Sequence, residues 1–109
     1  FERLNRYENK KSVSHVESCF SECLPTVAVS EYVRAYTNQI RQWVNGDYVT
    51  LGTDGFGRSD TREELRNYFE ISKDHIVINA LIVSGNKDKA EKYIKDKKID
   101  LNAKAPWLR

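Results

Sequence analysis

The chain has 109 residues, 39% of them hydrophobic and 31% charged, so it is long enough for one packed domain and too apolar to be disordered. Its 18 basic and 16 acidic residues are interspersed and give a net charge of +2, which offers no support to a nucleic-acid partner. The longest apolar segment, residues 76–83, is far shorter than the roughly 20 residues of a membrane-spanning helix, so we expect no membrane segment.

Residues 1–24 form a polar lead-in with few signals for regular structure. The sequence begins without methionine and without the apolar core of a signal peptide, so we expect the chain to be a fragment. Residues 9–12 predict a solvated loop after a short helical turn. Cys19 and Cys23 are four residues apart, and on a helix this spacing favours two structural thiols on one face over a disulfide. Reduced thiols favour a cytoplasmic location.

A βαβ unit is predicted over residues 26–51. Thr26–Val29 is a short β-branched run typical of a parallel strand buried on both faces, and residues 47–51 predict the second strand. Ser30 is placed to cap the helix between them, which should end at Asn45-Gly46. The apolar face of this helix is predicted to carry Tyr32, Tyr36, Ile40 and Val44. Its solvent face is predicted to carry Arg34, Asn38 and Arg41.

Three helices are predicted after the second strand. Thr61 followed by Glu64 forms a capping box that starts a helix over residues 62–69. Residues 72–74 look like a helix start, but residues 75–83 are rich in β-branched side chains and could form a buried strand. The span of more than ten residues and the following Ser-Gly stop favour a buried helix. Residues 88–98 predict a surface helix with ion pairs at four-residue spacing, 88 with 92 and 91 with 95, followed by a tail.

The most informative stretch is the glycine loop, residues 52–60, between the second strand and the next helix. Its three glycines allow a sharp turn or a close approach to another backbone. The loop leads into a helix N-terminus, where backbone N–H groups can bind an anion. It matches neither the dinucleotide fingerprint nor the P-loop, so a purely structural loop or a domain interface is favoured over a small-anion site. The candidate residues of this anion or domain-interface loop are Asp54, Gly55, Gly57, Arg58, Ser59 and Asp60.

The pattern alone predicts no catalytic or metal-binding constellation. Thr53-Asp54-Gly55 with Asn79 loosely resembles the metal and diphosphate motif of thiamine-dependent enzymes, but a threonine replaces the first glycine and Asn79 lies in an apolar segment. His15 and His75 have no serine, cysteine or carboxylate at a spacing that implies a catalytic dyad, which favours structural histidines. The pattern therefore predicts a soluble α/β domain without a self-contained active site.

The sequence around the glycine loop resembles one enzyme family. The run GTDGFGRSDTRE at residues 52–63, preceded by residues 30–36 and 39–41, closely resembles the C-terminal region of the homodimeric, thiamine-diphosphate-dependent decarboxylating components of pyruvate dehydrogenase. The shorter pattern Asp54-x-Phe56-Gly57-x-Ser59 resembles the wider transketolase superfamily, which is the alternative within the same chemistry. Residues 7–24 depart most from the family pattern.

This resemblance implies a three-layer α/β/α transketolase-type C-terminal domain with a mixed sheet over residues 25–109, lacking its first strand. The implied parent reaction is pyruvate decarboxylation followed by reductive acetylation of lipoyl groups on an acyltransferase component. The implied cofactors, thiamine diphosphate and Mg²⁺, would be bound by preceding domains, so this chain is expected to hold no catalytic, cofactor-binding or metal residue. The implied partners are those domains and the second subunit of a homodimer. An autonomous small-anion-binding regulatory module is the alternative from another class.

Overall fold

The structure is a computed structural model and describes residues 13–109. The solvated loop and helical turn predicted over residues 1–12 lie outside the described residues. Within residues 13–109, no helix is both long enough and apolar enough to cross a bilayer. The elements are α1 (His15–Cys19), β1 (Thr26–Val29), α2 (Arg34–Asn38), β2 (Tyr48–Leu51), α3 (Arg62–Tyr68), α4 (Lys73–Val83) and α5 (Lys87–Lys97), with short 3₁₀ turns at Arg41–Trp43 and Pro106–Leu108.

The sheet confirms the predicted βαβ unit and the α/β fold class. β1 and β2 pair in parallel, with Thr26 opposite Tyr48 and Val29 opposite Leu51. Within the described residues these two strands make up the whole sheet. β1 is therefore only partly covered, and Val29 is 39% exposed, so the prediction of a strand buried on both faces is wrong for the described residues.

The crossover between the strands is not the single helix that the sequence predicts. α2 begins at Arg34 and has five residues, and it is followed by the 3₁₀ turn Arg41–Trp43. Ser30 does not cap it, because its hydroxyl accepts from the Tyr32 N–H at 3.0 Å. The Tyr32 carbonyl accepts from the Thr53 N–H at 2.9 Å, a long-range bond that leaves this backbone outside the helix.

The predicted orientation of the crossover is right only in part. Val44 is buried as predicted, and Asn38 and Arg41 are exposed as predicted, but these two polar residues also form a network with β2. The Asn38 Oδ1 accepts from the Thr50 hydroxyl at 3.1 Å and from Arg41 at 2.9 Å, and Arg41 donates to the Tyr48 carbonyl at 2.7 Å. Burial raises the pKa of Tyr48, although the Arg41 charge opposes this. The rings of Tyr32 and Tyr36, predicted to face inward, are exposed.

The helices after the sheet follow the sequence more closely. α3 begins at Arg62, and the Thr61 hydroxyl accepts from the Glu64 N–H at 3.3 Å as predicted. A capping box has a second hydrogen bond, from the Thr61 N–H to the Glu64 side chain, and this part of the prediction is wrong. The Thr61 N–H donates instead to Asp60 Oδ1 at 2.7 Å. The segment that could have been a buried strand or a buried helix is a helix, α4. It packs on both strands, and Ile78 is buried.

α5 packs on α4 without the ion pairs that the sequence predicts. Neither the 88/92 nor the 91/95 pair is present among the ion pairs of the described chain. Instead, the Tyr93 hydroxyl donates to Asp74 Oδ1 at 2.6 Å, and this hydrogen bond raises the pKa of Tyr93. α5 ends at Lys97, and the following C-cap residue, Lys98, has a left-handed φ of +54°.

The cysteines do not share a helix face. α1 ends at Cys19, so Cys23 lies beyond the helix and the predicted arrangement is wrong. Both cysteines are free, exposed thiols. The four-residue spacing of the two cysteines therefore does not place them on one helix face, since α1 is only five residues long.

Candidate functional site

The glycine loop begins where the chain leaving β2 touches the segment before α2. A methyl group on Gly52 would lie 2.6 Å from the Tyr32 carbonyl oxygen and 2.9 Å from the Arg34 nitrogen, distances that no side chain tolerates against backbone atoms. Thr53 fixes the same crossing, since its hydroxyl donates to the Glu31 carbonyl at 2.8 Å and its N–H donates to Tyr32. The predicted close approach of two backbones is confirmed.

Asp54 clamps the loop onto the start of α2. Its Oδ1 accepts the Arg34 N–H at 2.9 Å and its Oδ2 accepts the Arg34 Nε–H at 2.5 Å. Arg34 is the first residue of α2, so the Asp54 carboxylate caps the N-terminus of this helix, although the two residues are 20 positions apart in the sequence. Burial raises the pKa of Asp54, but the backbone hydrogen bond, side-chain hydrogen bond and charge of Arg34 together outweigh it and leave the pKa lowered.

Gly55 turns the loop outward and supports the C-terminal tail. Its φ of +104° favours glycine, and a methyl group there would lie 3.2 Å from the Cα and 3.3 Å from the Cβ of Trp107. The next residue, Phe56, is 93% exposed. The loop therefore presents an apolar ring to solvent directly after a segment that hydrogen bonds and backbone contacts hold in place.

The remaining predicted residues follow Phe56. Gly57 has no positive φ, and a methyl group there would meet nothing within 4 Å, so nothing in the structure explains a glycine at this position. The Arg58 guanidinium lies 4.4 Å from the centre of the Tyr68 ring, a cation–π distance. Ser59 lines a groove between the loop and α3, and Asp60 holds the N–H of the α3 cap residue.

An open cleft of about 490 Å³ lies beside the loop. Buried or half-buried side chains of α3 and the following turn supply its apolar lining. An ion pair at the mouth joins Arg66 to Glu31 Oε1 at 2.7 Å, and the hydrogen bond and charge of Arg66 lower the pKa of Glu31. Gly55, Gly57, Arg58 and Asp60 line this cleft, whereas Asp54 faces Arg34. The other lining residues are Glu31, Thr53, Arg62, Leu65, Arg66, Phe69 and Ile71.

The start of α3 offers few free donors to a small anion. The Thr61 hydroxyl already accepts one first-turn N–H, and the Asp60 carboxylate accepts the N–H of Thr61 itself. α3 has only seven residues and carries Glu63 and Glu64 in its first turn, so the field there is less favourable to negative charge. Small-anion binding at this loop stays a prediction, and the geometry favours an interface.

The described residues do not fit a magnesium–diphosphate site. Within residues 13–109, no group of three or more His, Cys, Asp or Glu side chains is placed to hold a metal ion. The Asp54 carboxylate is held by Arg34, and the Asn79 amide donates to the His75 carbonyl at 2.8 Å within α4. Both positions that loosely resemble the thiamine motif therefore have structural partners.

Both histidines have neighbours that the sequence prediction did not foresee. His75 Nδ1 lies 2.8 Å from Ser72 Oγ, and His15 Nε2 lies 3.5 Å from Cys19 Sγ. Helical spacings of three and four residues place these side chains side by side. The interpretation of both residues as structural histidines stays a prediction. Burial lowers the pKa of His75 against the opposing charge of nearby carboxylates. Neither pair lines the cleft.

Three contributors to this surface were missing from the candidate residues. Phe56 belongs to the family pattern, but the sequence does not predict that its ring is exposed. Trp107 was assigned to a tail, and its contact with Gly55 has no local signal because the two residues are far apart in sequence. The ion pair of Glu31 with Arg66 spans 35 residues and is likewise invisible to short-range patterns.

Replacing two glycines of the same loop tests the backbone crossing. Gly52→Ala is expected to lower the free energy of unfolding by about 1–3 kcal/mol, because the new methyl group overlaps backbone atoms that cannot move independently. The matched control Gly57→Ala adds a methyl group in open space and should raise stability slightly, by about 0.4–1 kcal/mol, through the unfolded state. Urea denaturation measures both, and equal losses would contradict the crossing as described.

The Asp54 clamp predicts a specific pH dependence. Because the folded-state pKa of Asp54 is lowered, its contribution to stability is present above the unfolded value near 3.8 and is lost as the pH falls through the folded value. Asp54→Asn should lower the melting temperature at pH 7, and the difference from the parent chain should shrink below pH 3.8. Thermal unfolding from neutral to acidic pH measures this. An exposed control outside the clamp, Asp96→Asn, should lower the melting temperature at pH 7 less than Asp54→Asn does.

The chain was compared with known proteins. Residues 2–72, more than half of the chain, match the family described as the transketolase-like TK C-terminal domain. The pyruvate dehydrogenase E1 component of Pseudomonas aeruginosa is 46% identical over 84 residues, covering 73% of this chain and 10% of that protein. The protein of the same name from Cupriavidus necator is 39% identical over 111 residues, covering 97% of this chain and 12% of that protein.

A third relative gives the same result. The pyruvate dehydrogenase E1 component of Mycolicibacterium smegmatis is 45% identical over 80 residues, covering 72% of this chain and 9% of that protein. The chain thus spans about a tenth of the length of the curated relatives that it matches. These matches confirm the resemblance stated from the glycine loop. The chain belongs to the family of transketolase-like C-terminal domains.

Proposed function

We propose that this chain is the C-terminal domain of a pyruvate dehydrogenase E1-type enzyme, which decarboxylates pyruvate and reductively acetylates lipoyl groups of an acyltransferase component. The observation that carries the proposal is the family match over residues 2–72 together with relatives of that name at 39–46% identity. The domain itself supports the assembly of domains and of two subunits in a homodimer. It does not turn over substrate alone.

The glycine loop is the part of the domain that we assign to this interface. Its entry is fixed by the crossing at Gly52 and by the clamp between Asp54 and Arg34. Its middle presents Phe56 almost fully to solvent. Arg58 faces the Tyr68 ring and forms no ion pair with a carboxylate within residues 13–109, so its charge is available to a partner. A loop whose base is held in place, with an outward ring and an available cation, suits contact with another protein surface.

Thiamine diphosphate and Mg²⁺ bind to other domains in this proposal. The geometry of the described residues supports this assignment, because their carboxylates do not converge on a metal position and the loop carboxylates already accept hydrogen bonds. The residues of this chain contribute contacts and positioning to the enzyme.

The location and the wider partners follow from the same proposal. We place the enzyme in the cytoplasm, within a pyruvate dehydrogenase complex that contains a lipoyl acyltransferase component. Two exposed, free thiols, Cys19 and Cys23, are compatible with a reducing compartment. The interspersed charges offer no basic stripe for a nucleic acid.

The assignment of the cofactor to other domains predicts a negative binding result. Isothermal calorimetry of the 109-residue chain with thiamine diphosphate and Mg²⁺ should show no saturable binding, because the described residues do not form a diphosphate site. The matched positive control is the same titration into a longer enzyme that contains this domain. A micromolar dissociation constant for the chain alone would contradict the proposal.

The interface role predicts how Arg58 acts in that longer enzyme. Arg58→Ala should lower the melting temperature or weaken dimerisation, because it removes a contact worth about 0.5–1 kcal/mol with Tyr68 and a charge available to the partner. Its effect on cofactor affinity should be small. Thermal unfolding and sedimentation measure the first effects, with Lys92→Ala on the exposed side of α5 as control. An unchanged melting temperature with abolished turnover would point to a direct catalytic role.

A further inference from the structure

Residues 104–109 fold back against the glycine loop, and we call them the strap. A methyl group on Gly55 would lie 3.2 Å from the Cα and 3.3 Å from the Cβ of Trp107, so the strap and the loop touch through their backbones. Gly55 has a φ of +104°, which also favours glycine. Because backbone and Cβ atoms make this contact, the space open to the loop depends on where the strap is held.

Tyr68 of α3 contacts both the strap and the loop. Its hydroxyl donates to the Pro106 carbonyl of the strap at 2.9 Å. The centre of its ring lies 4.4 Å from the Arg58 guanidinium of the loop and 4.9 Å from the Arg109 guanidinium of the strap, and both are cation–π distances. One side chain therefore joins the two segments, and two groups of like charge share its ring.

The Glu70 carboxylate binds the charge at the end of the strap. Its Oε1 accepts from the Arg109 guanidinium at 3.0 Å, and the side chain of Glu70 is 43% exposed. The Arg109 Nε–H also donates to the Lys104 carbonyl, so the same guanidinium closes the strap on itself. The ion pair between Arg109 and Glu70 thus connects both ends of the strap to the turn between α3 and α4.

Glu70 occupies a backbone position that favours glycine. It follows α3 with a φ of +59°, and its N–H donates to the Asn67 carbonyl at 3.2 Å while the Ile71 N–H donates to the Arg66 carbonyl at 2.9 Å. These two bonds form a Schellman motif, in which the left-handed residue is usually glycine because a Cβ is strained there. The ion pair explains a glutamate at this position, since glycine has no side chain that could bind Arg109.

The ion pair matters because the strap buries little apolar surface. Within the 3₁₀ turn Pro106–Leu108 only Pro106 is buried, whereas Trp107 is 53% and Leu108 67% exposed. Burial therefore contributes little to holding the strap in place. A partly exposed ion pair is a modest interaction, but here it is one of few that oppose release of the segment.

We propose that the strap is a conformational device that keeps the glycine loop ordered, and that the ion pair between Arg109 and Glu70 is its releasable fastening. While the pair is intact, the backbone of Trp107 covers Gly55 and restricts the loop. When the pair breaks, the strap moves away and the loop gains freedom. The proposal concerns two segments of one chain, and only its consequence for contacts with other domains rests on the proposed function.

Glycine substitutions at two left-handed positions test the fastening in the 109-residue chain. Glu70→Gly removes the carboxylate and the backbone strain together, so backbone ¹⁵N order parameters at residues 55–57 should fall from rigid values near 0.85 towards flexible values below about 0.6. Lys98→Gly is the matched control, because Lys98 has a φ of +54° and forms none of the ion pairs within residues 13–109. It relieves the same strain and should leave the loop unchanged. Unchanged order parameters in Glu70→Gly would overturn the proposal.

A change in the strap itself tests the same ion pair without altering the turn after α3. Arg109→Gln should loosen residues 55–57 as Glu70→Gly does, and the double variant should show little further loss because both changes remove one interaction. Salt at about 1 M should loosen the loop of the parent chain more than that of Arg109→Gln. The control Lys104→Gln removes a charge that forms no ion pair within residues 13–109 and should have no effect. Equal loosening by Lys104→Gln would contradict the role of the pair.

The longer enzyme separates the strap from the proposed function. If the glycine loop contacts another domain or subunit, Arg109→Gln should lower the melting temperature of that enzyme or weaken its dimerisation, with Lys104→Gln again as control. A loosened loop in the 109-residue variant without a change in the longer enzyme supports the strap and counts against the loop as an interface. A loop that stays ordered in the 109-residue variants overturns the strap and leaves the interface role standing.

Discussion

The structure depends on one close crossing of backbones, between the exit of β2 and the segment before α2. Gly52 allows the two chains to approach, and the Asp54 carboxylate then takes the first N–H of α2. The crossing decides where α2 starts and fixes the base of the glycine loop. A side chain at Gly52 would push the segments apart and leave the start of α2 without its cap. The glycine loop therefore connects β2 to the start of α2 in addition to presenting residues at the surface.

The sequence predicted the elements whose signals are local. The apolar β-branched runs predicted both strands, and the Thr61 cap predicted the start of α3, because strand propensity and helix capping depend on residues close in sequence. The crossover failed for the opposite reason. Its four-residue apolar repeat favoured one long helix, but the hydrogen bond between Tyr32 and Thr53 and the polar bonds of Asn38 with Thr50 connect distant residues. Long-range hydrogen bonds overrode a valid local pattern.

The candidate surface was predictable in part. Glycines before a capped helix correctly marked a loop with a close backbone approach, and the resemblance carried by the same residues led to the right family. The sequence did not predict that Asp54 would bind Arg34, that Phe56 would be exposed or that Trp107 would cover Gly55. Each of these depends on which distant segments meet, and composition and periodicity do not carry that information.

The seating of Trp107 on Gly55 also has a consequence for the order of folding. The two residues lie far apart in the chain, so closing the loop between them costs more conformational entropy than any turn within it. Burial of side chains offsets little of this loss of entropy, since Pro106 is the only buried residue of the described 3₁₀ turn that contains Trp107. The contact should therefore form after the sheet and helices have assembled and open before they do under mild denaturation. A protease that acts at low denaturant would then cut the C-terminal tail while the sheet and the long helices are still folded.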